Sequence, residues 1–103
     1  MRLLTIATHD ERMYSIFRES CKRNRIHVDV LGWGKKWQGF AWRWDLILDF
    51  LTSNDIPDKE LIIITDAFDS ILCVKPHKIE EAFMKFKSPI VFSCEPSSHK
   101  FHP

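Results

Sequence analysis

Hydrophobic positions recur along this chain in two alternating patterns. Short runs rich in β-branched and apolar residues predict four strands, over residues 3–8, 27–31, 61–65 and 90–93. Between them, apolar residues recur every three or four positions, which is typical of amphipathic helices. These stretches predict three helices, over residues 11–23, over residues 42–52, and between Pro76 and the break at Ser88-Pro89. The order β-α-β-α-β-α-β indicates an α/β fold, a Rossmann-like parallel sheet with helices on both faces.

The third predicted strand ends in two carboxylates, Asp66 and Asp69, directly after the run LIIIT. Open α/β sheets bind ligands beyond the carboxyl ends of their strands. Hard divalent cations prefer oxygen ligands, so the pair predicts a cation that keeps free positions for phosphate oxygens. An aspartate after a strand also serves as a turn former or cap, and D-x-x-D is a short motif, so both interpretations stay open. Phe68, between the two, either stacks on a nucleobase or folds back into the core.

The loop of residues 32–39 follows the second predicted strand and lies at the same sheet edge as Asp66. Its glycines permit close backbone approach and its lysines attract anions. Neither a Walker A motif nor a dinucleotide-binding fingerprint is present. Its tryptophans either pack or bind a ligand. Thr8, at the end of the first predicted strand, faces the same crevice.

Composition and charge narrow the class of function. The 103 residues, 45% of them hydrophobic, predict one domain over residues 1–95 and an irregular tail over residues 96–103. A net charge of +1 argues against a nucleic-acid partner. The histidine pair His99 and His102 in the tail is a weak metal candidate, and solvated side chains are the preferred interpretation.

Cysteine usage and the N-terminus predict a cellular location. The three cysteines form no C-x-x-C pair, so we expect small buried hydrophobic side chains in a reducing compartment. The first apolar run is too short for a signal peptide, and no stretch is long enough to span a bilayer. These features predict a cytoplasmic protein without a membrane partner.

Four segments carry a resemblance to a known family. They are LTIAT ending at Thr8, LGWG at residues 31–34 with Trp37, TDAFD at residues 65–69, and VFSCE at residues 91–95. In this order and spacing they resemble the glycosyltransferase domain of the procollagen lysyl hydroxylases, which are multifunctional lysine hydroxylases and glycosyltransferases. Virus-encoded and other stand-alone relatives of that domain are similar.

The resemblance implies half of a GT-A type glycosyltransferase fold, a UDP-sugar donor, and a manganese or magnesium ion. The family's metal ligands map onto Asp66 and Asp69. The family's uracil-stacking aromatic, usually a tyrosine, maps onto Phe68, and its donor-site lysine falls at Arg43. The residues implied to bind the nucleotide sugar are Thr8, Trp37, Arg43, Asp66 and Phe68.

The resemblance also implies what the chain does not supply. The family's third metal ligand, a histidine, and its acceptor-binding segments have no counterpart here, so no catalytic residue is assigned. We expect a UDP-sugar-dependent, procollagen galactosyl- or glucosyltransferase-like enzyme, or its donor-binding half with little turnover alone. Its acceptor would be hydroxylysine or another hydroxyl, and its partner a second copy or a complementary C-terminal half. The alternatives are a non-catalytic α/β remnant or interaction module, and a small phosphate-handling enzyme of another α/β family.

Overall fold

The computed structural model describes residues 1–93, which contain a parallel sheet with helices on both faces. Its strands are β1 (Arg2–Ile6), β2 (Val28–Leu31) and β3 (Ile62–Asp66). Its helices are α1 (Tyr14–Arg23), α2 (Phe40–Ser53) and α3 (Pro76–Lys85). The predicted Rossmann-like α/β class is therefore confirmed.

The strand order is β2-β1-β3, with both pairs parallel. The chain passes from β1 to β2 on one side and returns to β3 on the other, so the topological switch point lies between β1 and β3. At the carboxyl end of the sheet, Ile6 of β1 is paired with Leu31 of β2 and with Asp66 of β3. Thr8 and Asp66 therefore lie at the same edge, as predicted.

The central strand β1 is buried on both faces, and each face has its own hydrophobic cluster. Leu3 packs with Phe17 and Cys21 of α1 in a cluster that we call the α1 core. The α1 core comprises Leu3, Phe17, Cys21, Ile26 and Val28. On the other face, Leu4 packs with Ile6 and with Ile47 of α2. The two helices thus lie on opposite faces, as a switch in strand order requires.

The prediction of a fourth strand over residues 90–93 is wrong. Residues 90–93 take no strand conformation, and Ile90, Val91 and Phe92 are exposed. Strand propensity is realised only where a neighbouring strand and a packing surface are present, and these residues have neither within residues 1–93. Cys73 is also exposed, contrary to the prediction, whereas Cys21 is buried.

The first helix begins three residues later than predicted, at Tyr14, and Met13 precedes it without a side-chain hydrogen bond to the first turn. Arg12 adopts a φ of 50°, a left-handed conformation that is incompatible with a continuing helix. Within residues 1–93, no helix is long and apolar enough to cross a membrane. The predicted tail of residues 96–103, with His99 and His102, lies outside the described residues, as do Cys94 and Glu95.

Candidate functional site

An open depression of about 200 Å³ lies at the carboxyl end of the sheet, at the switch point between β1 and β3. Five of its lining residues come from the end of β3 and the loop that follows, and the others come from β1, the turn before α1, the loop after β2, and α2. The lining residues are Ile6, Arg12, Trp37, Phe40, Arg43, Thr65, Asp66, Ala67, Phe68 and Asp69. The depression therefore gathers Trp37, Arg43, Asp66, Phe68 and Asp69, five of the six predicted site residues.

A larger depression of about 280 Å³ lies beside α1. Its charged residues are Glu19 and Arg23, and the rest of its lining is Ser15, Ile16, Ser20 and Ile71. It has neither a carboxylate pair nor an aromatic side chain. Size alone therefore does not decide which depression is the candidate site, and the chemistry favours the one at the switch point.

Hydrogen bonds to α1 and to the turn before it hold the loop after β3 in place. The backbone N–H of Met13 donates to the carbonyl oxygen of Phe68 at 3.2 Å. Farther along, the backbone N–H of Leu72 donates to Ser20 Oγ at 2.9 Å, and Asn24 Nδ2 donates to the carbonyl oxygen of Leu72 at 3.0 Å. The loop is thus attached on both sides of Asp69, while the carboxylates of Asp66 and Asp69 remain exposed.

The charges of the depression balance, because it is lined by two carboxylates and two guanidiniums. Arg43 Nη2 lies 3.7 Å from Asp66 Oδ1, and the Asp66 side chain is 62% exposed. So long and exposed an ion pair contributes at most about 1 kcal/mol, so a cation can displace it from Asp66. Within residues 1–93, no three His, Cys, Asp or Glu side chains gather as a metal-binding group. Asp66 and Asp69 are the acidic side chains available to a cation here.

Two polar atoms of the lining have unmet hydrogen-bonding capacity. Arg43 Nε and Thr65 Oγ1 are inaccessible to solvent and bond to no other described residue. Leaving a buried donor without a partner costs about 1–3 kcal/mol, so native structures pair almost all of them. Asp29 Oδ2, away from the depression, is a third such atom, so these unmet capacities are not specific to the depression.

Aromatic side chains flank the depression on two sides. On one side, the ring centroid of Phe68 lies 5.9 Å from His9 and 6.4 Å from Tyr14, which in turn lies 5.1 Å from Trp33. Phe68 is half-buried, so it neither stands free nor folds into the core. On the other side, Trp37 packs edge-on against Phe40 at 5.7 Å and against Trp42 at 5.6 Å.

Thr8 lies at the predicted edge of the sheet but is not among the residues that line the depression, so its contact with a nucleotide stays a prediction. Its hydroxyl is 2.8 Å from His9 Nδ1, and its carbonyl oxygen accepts a hydrogen bond from the backbone N–H of Gly34 at 2.9 Å. Gly32, in the same loop, has a φ of 81°, and a Cβ there would lie 3.1 Å from Trp42 and Leu46. Thr8 therefore holds the loop that carries Trp37, and the glycine lets that loop pack on α2.

Comparison with known proteins identifies the family. The family model described as the PLOD GT domain matches residues 1–100. The chain belongs to this family. It is a glycosyltransferase-like domain, and the α/β architecture with its carboxylate-bearing sheet edge is consistent with that assignment.

Two relatives show how the PLOD GT domain relates to longer proteins. The chain is 25% identical over 99 residues to procollagen-lysine,2-oxoglutarate 5-dioxygenase 1 from Bos taurus, covering 90% of the chain and 14% of that protein. It is 24% identical over 102 residues to procollagen-lysine,2-oxoglutarate 5-dioxygenase from Drosophila melanogaster, covering 92% of the chain and 14% of that protein. The chain thus spans about one-seventh of the length of these relatives.

Sequence reasoning missed several residues that the PLOD GT domain fold brings to the depression. Arg12, Phe40 and Thr65 line it, and Tyr14 packs against both Phe68 and Trp33. The sequence could have indicated Thr65, because it immediately precedes Asp66 in the same strand. No local signal distinguishes Arg12 from the other surface arginines, and only the strand order places it beside the loop after β3.

Proposed function

We propose that this domain binds a UDP-sugar donor together with Mn²⁺ or Mg²⁺ and serves metal-assisted glycosyl transfer. The observation that carries the proposal is the convergence of two carboxylates, a half-buried aromatic and an arginine on one depression at the switch point. These are Asp66, Asp69, Phe68 and Arg43. Each matches one requirement of a nucleotide diphosphate: a cation, a stacking surface for the base, and a donor for phosphate oxygens.

The donor set fits a hard divalent cation. Asp66 and Asp69 supply carboxylate oxygens, and their exposure leaves room for water and phosphate oxygens on the same ion. When bound, the cation would be held by Asp66 and Asp69 and would neutralise charge as UDP leaves. Because the described residues offer two carboxylate ligands, we expect modest affinity for the cation.

The remaining lining residues have roles in orienting the donor. Phe68 offers its ring to uracil, and Tyr14 packs edge-on against that ring. Arg43, which lines the depression and whose Nη2 lies 3.7 Å from Asp66 Oδ1, donates to phosphate oxygens. Trp37 forms the opposite wall. Thr8 acts indirectly, by holding the loop that carries Trp37.

A second candidate is a non-catalytic α/β module that binds the donor without transferring it. The observation in its favour is the lack of a third acidic or histidine ligand near Asp66 and Asp69 within residues 1–93. For the first candidate, the enzyme, the acceptor is a hydroxyl group, with hydroxylysine as our proposal. A second copy or a complementary C-terminal half would supply the acceptor contacts. The cytoplasmic location stays a prediction.

Calorimetry of UDP binding tests the donor site. We expect UDP to bind the wild-type protein about tenfold or more tightly with Mn²⁺ than with a chelator, because the cation carries much of the phosphate contact. The double variant Asp66→Asn/Asp69→Asn should lose this metal dependence. The matched control is Asp55→Asn/Asp58→Asn, which alters a second, exposed D-x-x-D pair before β3, at the opposite end of the sheet.

The results distinguish the two candidates from each other and show when the donor site or its metal is ruled out. Equal UDP affinity for wild type and the Asp66/Asp69 variant would remove the metal role, and no UDP binding by wild type would remove the donor site. If UDP binds, hydrolysis of UDP-galactose and UDP-glucose in Mn²⁺ distinguishes an enzyme from a binding module. Metal-dependent release of UDP, abolished in the Asp66/Asp69 variant, supports the first candidate. Binding without release supports the second.

A further inference from the structure

We propose that Arg12 is a second phosphate-binding residue of this depression and contacts the donor diphosphate from the α1 side. This inference rests on the proposed function and deepens it by adding a second residue that binds the phosphates. No sequence motif distinguishes Arg12. Arg12 lines the same depression as Asp66, Asp69 and Arg43. It reaches the site from the turn before α1, whereas Arg43 reaches it from α2 on the other face of the sheet.

The backbone around Arg12 is fixed against the loop after β3. The backbone N–H of Met13 donates to the carbonyl oxygen of Phe68 at 3.2 Å, and that of Tyr14 donates to the carbonyl oxygen of Glu11 at 3.0 Å. Within this turn, Arg12 has a φ of 50°. A residue with a Cβ adopts this left-handed conformation only where surrounding contacts impose it. The turn that presents Arg12 is therefore attached directly to the loop that carries the two carboxylates.

The guanidinium of Arg12 is available for a ligand. Among residues 1–93 it forms no ion pair, whereas Arg43 lies 3.7 Å from a carboxylate oxygen of Asp66. A guanidinium without a carboxylate partner retains its whole planar set of N–H donors, which matches two phosphate oxygens at once. Of the two arginines in the depression, Arg12 is thus the one without a carboxylate partner among residues 1–93.

Charge balance makes the role testable. The two carboxylates and two guanidiniums of the lining cancel, so a divalent cation on Asp66 and Asp69 gives the depression a positive charge of two. That charge complements a diphosphate, and loss of Arg12 halves it. Arg12 also repels the cation itself. Its removal should therefore weaken phosphate binding while leaving cation binding unchanged or stronger, which loss of local structure would not do.

The experiment compares Arg12→Gln, Arg12→Lys and the control Arg25→Gln. Arg25 is also an exposed arginine with a left-handed φ, of 56°, but it precedes β2 at the opposite end of the sheet. UDP affinity is measured by calorimetry in saturating Mn²⁺, and the affinity for Mn²⁺ alone by electron paramagnetic resonance. We expect Arg12→Gln to weaken UDP binding about tenfold, since a charge-assisted contact is lost. Arg12→Lys should recover part of the loss, and Arg25→Gln should remain within about twofold of wild type because distant charges are screened.

Several results would overturn the assignment while leaving the proposed function intact. One is equal UDP affinity for Arg12→Gln and Arg25→Gln with the Mn²⁺ dependence preserved. Another is a parallel loss of Mn²⁺ affinity in Arg12→Gln, which would indicate a structural role. A third is Arg12→Lys binding no better than Arg12→Gln, which would exclude charge as the cause. Failure of the wild-type protein to bind UDP would instead remove the proposed function.

Discussion

The α1 core and the depression at the switch point lie at adjacent parts of the same sheet but differ in the solvent exposure of their side chains. Phe17 and Leu3 in the α1 core are 0% exposed, and Cys21 is 2% exposed. In the lining of the depression, Trp37 is 46% exposed and Phe40 is 71% exposed. The core removes apolar surface from water, whereas the depression keeps aromatic and charged side chains in contact with it.

This difference distinguishes the side chains that stabilise the fold from the side chains that the fold holds at the depression. Burial of apolar surface contributes about 25 cal/mol per Å², so the core side chains carry much of the stability. The exposed side chains of the depression contribute little, and two of its polar atoms lack a partner among the described residues. Their arrangement therefore accounts for little of the stability of the fold.

The largest expected effect is on stability, from a change in the α1 core. Phe17→Ala should lower the free energy of unfolding by about 3–5 kcal/mol, because it leaves a cavity in a packed site. Phe40→Ala, which removes the same side chain from the depression, should cost less than about 1 kcal/mol. Urea denaturation followed by circular dichroism measures both.

Phe17→Leu keeps this comparison measurable if Phe17→Ala does not fold, because it should cost less while retaining most of the packing. Similar losses for the Phe17 and Phe40 variants would contradict the division between core and site. So would a larger loss for Phe40→Ala than for Phe17→Leu.

The fold was largely predictable because its signals are local. The runs that became β1, β2 and β3 and the periodic stretches that became α1 and α2 are visible in the sequence itself. The fourth strand failed because an apolar run at residues 90–93 does not reveal whether a partner strand is present. The apolar stripe of α3 shows the same limit, since none of its residues is buried among the described residues.

The residues of the candidate site that come directly after a strand could be predicted from the sequence. Those that the strand order brings to the depression could not. Asp66 and Asp69 come directly after β3, and the switch-point rule placed them correctly. Arg12 and Tyr14 come from a turn and a helix start whose proximity to Phe68 depends on the strand order β2-β1-β3. Thr8 faced the expected edge, but its carbonyl and hydroxyl are already bonded to the neighbouring loop and to His9.

An intermediate effect is expected at Phe68, on donor binding. Base stacking on an aromatic side chain contributes about 1–3 kcal/mol, so Phe68→Ala should weaken UDP binding by about 5-fold to 160-fold. Phe68→Tyr keeps the ring and should bind UDP about as tightly as wild type. Calorimetry in saturating Mn²⁺ measures the affinities. An unchanged affinity in a folded Phe68→Ala protein would assign Phe68 to packing against Tyr14 alone.

The smallest expected effect returns to the α1 core, at Cys21. Burial raises the pKa of the Cys21 thiol above its ordinary value of 9.0, while the nearby Arg18 charge and Ser20 partly oppose the shift. Between these two pKa values the folded chain keeps a proton that the unfolded chain releases, so the free energy of unfolding falls as pH rises. The contribution is fully present well below pH 9 and is lost as pH rises through the folded pKa.

At pH 9 the unfolded thiol is half ionised, so the loss from Cys21 has begun there, and it grows as pH rises towards the folded pKa. Urea titrations at pH 7, 8, 9 and 9.5 measure it as a decline in the free energy of unfolding. Cys21→Ala should show a shallower decline than wild type, whatever its starting stability. The control is Cys73→Ala, which alters an exposed cysteine and should decline as wild type does. If all three proteins decline in parallel, the alkaline loss comes from other groups, and the α1 core does not hold its thiol out of water as its burial indicates.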